Sequence, residues 1–212
     1  MTDALVWYVA YGSNLSSDRL RIYLEGGRPV GGMRTYEGCR DASPPQDAVP
    51  TTLALPLYFA GRSRTWDGGI AFVDPAPAPD AETFARAWLV TASQLEDIVA
   101  QERGAPHEAI DVPKVVRDGV TVLGDGSYYG TLVSCGTIRQ LPAVTCTAPP
   151  PGPDGPAVAA PTSAYLRTIA RGLTESHGLD PSAAARYLGG HPGVAEAWEP
   201  DELVATLAGV EG

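Results

Sequence analysis

The order of its segments constrains this chain more than any single motif does. Strand-like runs dominate up to residue 147, a Pro-rich stretch occupies 148–161, and helix-like runs fill the C-terminal remainder. Apolar, β-branched and aromatic residues mark strands near 5–11, 52–60, 69–73, 83–90, 119–124, 129–136 and 141–147. Pro56 marks the second of these as an edge or bulged strand, and residues 40–51 read as a loop. The pair Asp125-Gly126 signals a hairpin turn. Helices are expected near 16–25, from about 91 to 102, and at 162–177, 181–188 and 200–208. Strands with one long interior helix, followed by a helical end, predict an α+β fold. Its sheet is expected to be mixed, mostly antiparallel and barrel-like, with flanking helices. Residues 1–190 read as one domain that includes the connector, and 191–212 as a helical tail packed on it.

The formal net charge of −10 and the pI of about 4.7 argue against nucleic acid or an anionic membrane as partner, since both call for basic surface. A small anionic substrate stays compatible, because a local site can oppose the global field. Cys39, Cys135 and Cys146 are odd in number and have no metal-ligand spacing. With no signal-peptide pattern after Met1 and no run long enough to cross a bilayer, a cytoplasmic location is expected. Monomer and homodimer both stay open.

Two segments carry chemistry. The run Leu5-Val6-Trp7-Tyr8-Val9 breaks at Tyr11-Gly12-Ser13-Asn14, and a helix start comes next, with Ser16 or Ser17 placed to cap it. A strand that ends in Gly-Ser-Asn and feeds a helix gathers several backbone N–H groups, which suit a carboxylate or phosphate. The same residues also serve as plain turn formers.

The second segment begins at Thr91. Thr91-Ala92-Ser93-Gln94 fits a capping box, and Ser93 offers a second register. At about 100° per residue, Leu95, Ile98, Val99 and Glu102 share one arc of the helix, with Glu102 near its centre. A carboxylate on that face is partly desolvated and sits at the negative end of the helix dipole; both effects raise its pKa toward the general acid/base range. If the helix frays before Gly104, Glu102 lies in solvent instead, and periodicity does not decide between the two.

Taken together, these residues resemble the γ-glutamylcyclotransferase-like family. Its first-strand signature matches Tyr11-Gly12-Ser13-Asn14-Leu15. Thr65-Trp66-Asp67-Gly68-Gly69-Ile70-Ala71 resembles a later strand, and Leu95 to Glu102 resembles the helix that ends in the catalytic glutamate. Pro161-Thr162-Ser163-Ala164-Tyr165-Leu166, with Gly172 and Glu175, resembles the C-terminal helix. The resemblance implies a cofactor-free enzyme that acts on a small γ-glutamyl amide and releases 5-oxoproline and a free amine. It implies Glu102 as the catalytic acid/base and Tyr11, Gly12, Ser13, Asn14 and Leu15 as the substrate-binding loop. Gly12 then permits close backbone approach and Asn14 a left-handed turn. The tyrosine that comes after the glutamate in some members is missing from Arg103–Ala109, which leaves Tyr128 and Tyr129 as candidates for the leaving-group side. The alternative is a non-catalytic amino-acid or amide binding protein on the same scaffold, against which the retained Glu102 weighs.

Other constellations are weaker. No Gly-x-Ser-x-Gly elbow surrounds Ser13, so a nucleophilic serine is not expected. His107, His177 and His191 are far apart and form no His-Glu-x-x-His pattern, so no metal is expected. His177 reads as a helix C-terminal residue that complements the dipole. The glycines at 124–130 precede neither a Lys-Ser/Thr pair nor a helix, and so do not form a phosphate loop. Trp66 either packs in the core or lines a pocket.

Overall fold

The computed structural model describes residues 3–124, 128–149 and 155–209. The strands are β1 (Leu5–Ala10), β2 (Asp47–Leu53), β3 (Leu57–Ala60), β4 (Ile70–Val73), β5 (Thr83–Thr91), β6 (Val120–Val122), β7 (Thr131–Ile138) and β8 (Leu141–Thr147). The helices are α1 (Ser17–Glu25), α2 (Ala92–Arg103), α3 (Val112–Asp118), α4 (Ser163–His177), α5 (Pro181–Gly189) and α6 (Pro200–Leu207). A single 3-10 turn, Ser13–Leu15, joins β1 to α1.

Six strands form one sheet in the order β2-β5-β1-β8-β7-β6, and β3 pairs with β4 alone. Only β1 with β8 runs parallel; the other ladders are antiparallel. The fold is therefore α+β with a mixed sheet, but the expected barrel-like closure is corrected. Among the described residues the sheet is open, with β2 and β6 as its edges. Where β4 meets the end of β8, a side chain takes the place of a ladder. The Thr147 hydroxyl accepts from the Val73 N–H at 3.0 Å and donates to the Val73 carbonyl at 2.6 Å.

Central position explains the unbroken apolar run of β1. Trp7, Val9 and Tyr11 face one core, shared with β3, β4, α4 and α5. Val6, Tyr8 and Ala10 face the other, shared with α1, α2 and α3. Leu203 of α6 is buried in the first core.

Three segments differ from expectation, the first being 52–60, expected as one strand but divided between the end of β2 and β3, which lie in different sheets. Residues 47–51, expected as loop, belong to β2; Pro50 is tolerated there because the strand is an edge, paired only with β5. Helix α3 was not anticipated; Asp111 caps it by accepting the Lys114 N–H at 3.0 Å. The Asp125-Gly126 hairpin lies outside the described residues. Of the connector, 155–161 runs beside β3 and β4: Gly61 N–H donates to the Ala157 carbonyl and Gly69 N–H to the Ala160 carbonyl, each at 2.8 Å. Residue 69 must lack a side chain for this, since a Cβ there would land on the Ala159 carbonyl. His177 ends α4 as expected, but its ring reaches the Ala85 carbonyl, 3.0 Å from Nε2.

Candidate active site

β1 delivers the Tyr11–Leu15 loop to the edge of a cleft of roughly 500 Å³, a size that suits a small molecule. Ser13 and Glu102 both line it, beneath Tyr23, Tyr129 and Tyr165. A small inner recess continues from there, bounded by Tyr8, Tyr11, Gly12, Asn14 and Glu102.

Helix α2 runs through Glu102 before Gly104 stops it in the left-handed region, φ 63°. The capping box forms at Thr91 and Gln94, with Gln94 N–H donating to Thr91 Oγ1 at 3.1 Å. The fraying alternative therefore does not hold: Glu102 is helical and half-buried, and it lines the cleft. Burial pushes its carboxyl above the ordinary carboxylate range. The Arg19 guanidinium, the Tyr23 hydroxyl, Arg34 and the Asn14 amide hold that rise back.

One amide joins loop and carboxylate. Asn14 Nδ2 donates to Glu102 Oε1 at 2.9 Å and to the Tyr8 hydroxyl at 3.0 Å. Trp88 Nε1 fixes the Asn14 carbonyl at 2.9 Å. Asn14 Oδ1 is buried with no partner among the described residues. The left-handed conformation expected of Asn14 is not found; it sits in the 3-10 turn, and its value lies in its side chain.

The loop's own bonds use the Leu15 N–H, to Gly12 O at 3.0 Å, and the Ser16 N–H, to Ser13 O at 3.1 Å. The N–H groups of Ser13 and Asn14 open the turn and have no acceptor within it. At Gly12 a Cβ would come within 3.0 Å of the Tyr165 hydroxyl, which itself accepts the Ala71 N–H at 3.1 Å. Tyr11 is buried and its hydroxyl donates to the Cys146 carbonyl at 2.7 Å. Leu15 is fully buried in the core, so it anchors the loop and does not line the cleft.

Support comes from far along the chain. Arg86 Nη1 donates to the Leu15 carbonyl at 3.1 Å and to Glu175 Oε2 at 2.8 Å. That carboxylate also accepts the Ser17 N–H at 2.9 Å. Helix α1 is therefore capped by Glu175, whereas the Ser16 side chain, expected as a cap, makes no capping bond.

Arg19 escaped the sequence reading. It is 2% exposed on α1, with its guanidinium 4.3 Å from the Tyr23 ring centre and 4.2 Å from that of Tyr36. Its Nε and Nη1 have no partner among the described residues. Burial alone would weaken its charge, but Tyr23, Tyr36 and Glu102 more than offset this and hold the proton more firmly. The face argument that picks out Glu102 would have found it, because Arg19 and Tyr23 are four apart on the buried side of α1.

Tyr128 and Tyr129 both line the cleft. Tyr129 is the more firmly held, at φ 61° and with its hydroxyl on the Ala71 carbonyl at 2.9 Å. Trp66 does both things expected of it: it packs in the core at 6% exposure and walls the cleft beside Tyr165. Among the described residues no group of three His, Cys, Asp or Glu side chains could hold a metal ion, and no helix is long and apolar enough to cross a membrane.

No family model matches the chain. A solved structure of a gamma-glutamyl cyclotransferase aligns with a TM-score of 0.50 and 20% identity, over 93% of this chain and 89% of that one. An uncharacterized protein from Homo sapiens aligns with a TM-score of 0.49 and 20% identity, over 92% and 89%. In sequence, the chain is 30% identical over 198 residues to histone deacetylase 5 of Arabidopsis thaliana; that match takes in 86% of this chain and only 30% of the relative's length. The chain has the γ-glutamyl cyclotransferase-like fold.

Proposed function

We propose that this protein is a γ-glutamyl cyclotransferase, which closes the γ-glutamyl end of a small amide into 5-oxoproline and frees the amine. The observation that carries the reading is the Asn14–Glu102 hydrogen bond at the edge of the cleft, which sets a proton-accepting group beside an N–H-rich turn.

The reaction asks mainly for conformer and proton control. Nucleophile and electrophile belong to one substrate, so holding the α-amine against the γ-carbonyl supplies much of the acceleration. Glu102 takes a proton from the α-amine as its nitrogen bonds the γ-carbon. The same proton then goes to the leaving nitrogen as the old C–N bond breaks. A carboxylate with a raised pKa suits both steps. The Ser13 and Asn14 N–H groups are the donors available to the α-carboxylate or to the oxygen that gains charge. Asn14 Oδ1, buried and unpartnered among the described residues, is an acceptor for the substrate amine.

The test is incubation with a panel of γ-glutamyl amides, scored for 5-oxoproline and free amine. Turnover is expected in the wild type and is lost in Glu102→Gln, which keeps the hydrogen bond from Asn14 and the fold. A panel without 5-oxoproline, or a Glu102→Gln variant as active as wild type, overturns the proposal.

A further inference from the structure

A second groove, of about 490 Å³, lies between α1 and α4, with the 26–31 loop as its third wall. Its charge opposes that of the chain, whose net is −10. Arg21 of α1, Arg28 of the loop, and Arg167 and Arg171 of α4 line it, against the carboxylates of Asp18 and Glu25. Arg19, whose buried Nε and Nη1 have no partner among the described residues, lines both this groove and the catalytic cleft. Local sequence builds the walls. Ala164, Arg167, Thr168 and Arg171 recur at helical spacing, so one stripe of α4 faces the groove. Gly31, at φ 73°, takes the left-handed place in a turn that the Gly32 N–H closes on the Pro29 carbonyl at 3.0 Å. The Gly32 carbonyl then accepts Arg28 Nε at 2.7 Å, which holds that guanidinium across the turn; its terminal nitrogens make no bond among the described residues. Arg167 is half-buried and touches only the Ser163 hydroxyl, at 3.4 Å. Arg21 and Arg171 share one carboxylate, Asp18, at 3.2 and 3.4 Å, and all three side chains are exposed. Exposed pairs of this kind contribute little and yield readily to a better partner.

We propose that this groove binds a phosphoryl group, free or as the ester of a small metabolite. A single carboxylate is satisfied by one guanidinium fork. Forks from two helices and a turn suit a group with two charges and three acceptor oxygens. The remaining lining includes Ile22, Val30 and Ala164, which suit a short carbon body. No aromatic ring lines the groove, so a nucleobase finds nothing to stack on. Neither Glu102 nor any other residue of α2 takes part, so the site is separate from the acid/base chemistry.

Calorimetry on the full chain tests this with inorganic phosphate, glycerol 3-phosphate and succinate. Both phosphates are expected to bind more tightly than succinate, and more tightly above their second pKa, near about 6, than below it. The tighter of the two tells whether the group arrives free or as an ester. The double variant Arg167→Gln/Arg171→Gln should weaken phosphate binding by about tenfold or more. Asp18→Asn should strengthen it a few-fold, because it removes a like charge and releases Arg21 and Arg171. That opposite sign keeps the test decisive even if the double variant folds poorly. Arg64→Ala, an exposed arginine of the catalytic cleft, should leave phosphate binding unchanged. The proposal is overturned if neither phosphate binds, if succinate binds as tightly as they do, or if affinity is unmoved in both the double variant and Asp18→Asn. Loss of binding in Arg64→Ala overturns it too, since the anion then sits in the cleft.

Discussion

Helix α4 presses directly on the loop, and Gly172 is where it does so. A Cβ at residue 172 would stand 2.5 Å from the Leu15 carbonyl carbon and from the Ser16 nitrogen, and closer still to Leu15 Cβ. Ordinary contact begins near 3.4 Å, so helix and loop must separate by about 1.0 Å in Gly172→Ala. Two of the three obstructing atoms are backbone and the third is a Cβ fixed to it, so no side chain can swing aside. Strain of roughly 1–3 kcal/mol results, against about 1 kcal/mol gained from the better helix former. The expected net loss, about 0–2 kcal/mol, lowers Tm by up to roughly 8 °C in a chain of this size. Activity should fall much further. A shift near 1 Å in a group that positions substrate costs on the order of 100-fold, and Leu15 is covalently next to Asn14. The control is Gly189→Ala at the end of α5, where a Cβ meets Leu203 Cδ2 at 3.5 Å, an ordinary contact. That variant should match or slightly exceed wild-type stability and keep full activity. Thermal melts and 5-oxoproline release on the three proteins decide the matter. A Gly172→Ala enzyme with wild-type Tm and turnover would refute the idea that α4 sets the loop's position.

Two further outcomes concern pH. Burial raises the folded-state pKa of Glu102 above its unfolded value, so the ionised carboxylate costs stability at every pH above the folded pKa, and that cost fades as pH falls through it. Glu102→Gln should therefore melt higher than wild type at neutral and alkaline pH, with the gap closing in acid; an equal gap at all pH values would show that the carboxylate is not desolvated. His191 has the opposite sign. Burial lowers it from 6.5 to about 4, so the unfolded chain binds its proton first, and stability drains away as pH falls between those two values. His191→Asn should flatten the urea-midpoint profile across that window; an unchanged slope would assign the acid sensitivity elsewhere, for instance to His177, whose pKa burial also lowers.

How much was legible in the sequence depended on whether a residue's reason is local. The end of β1, the capping box at Thr91 and the helical register of Glu102 all arise from neighbours a few residues away, so periodicity and cap chemistry reached them. Edge strand β2 reads as loop because Pro50 and the polar residues around it are allowed only by an unpaired neighbour side, which is a property of the sheet. Barrel closure was expected from the number of strands; it fails where Thr147 meets Val73, a contact made by one hydroxyl. Arg86 and Glu175 look like ordinary surface charges in the sequence. Their role exists only because β5 and α4 converge beneath the turn from 89 residues apart.

Asn14 shows why a motif can be right for a reason that local rules miss. A turn former was expected there, and glycine or aspartate satisfies such a position equally well. In the fold, its side-chain amide must donate twice, once to a phenol and once to a carboxylate, while its Oδ1 waits without a partner among the described residues. Aspartate would set a second negative charge against Glu102 and raise that carboxyl's pKa further. Glycine would leave Glu102 Oε1 and the Tyr8 hydroxyl without this donor. Only an amide gives the carboxylate a donor on one side and leaves an acceptor free on the other, so the residue that reads as punctuation between strand and helix is the one that couples the loop to the acid/base.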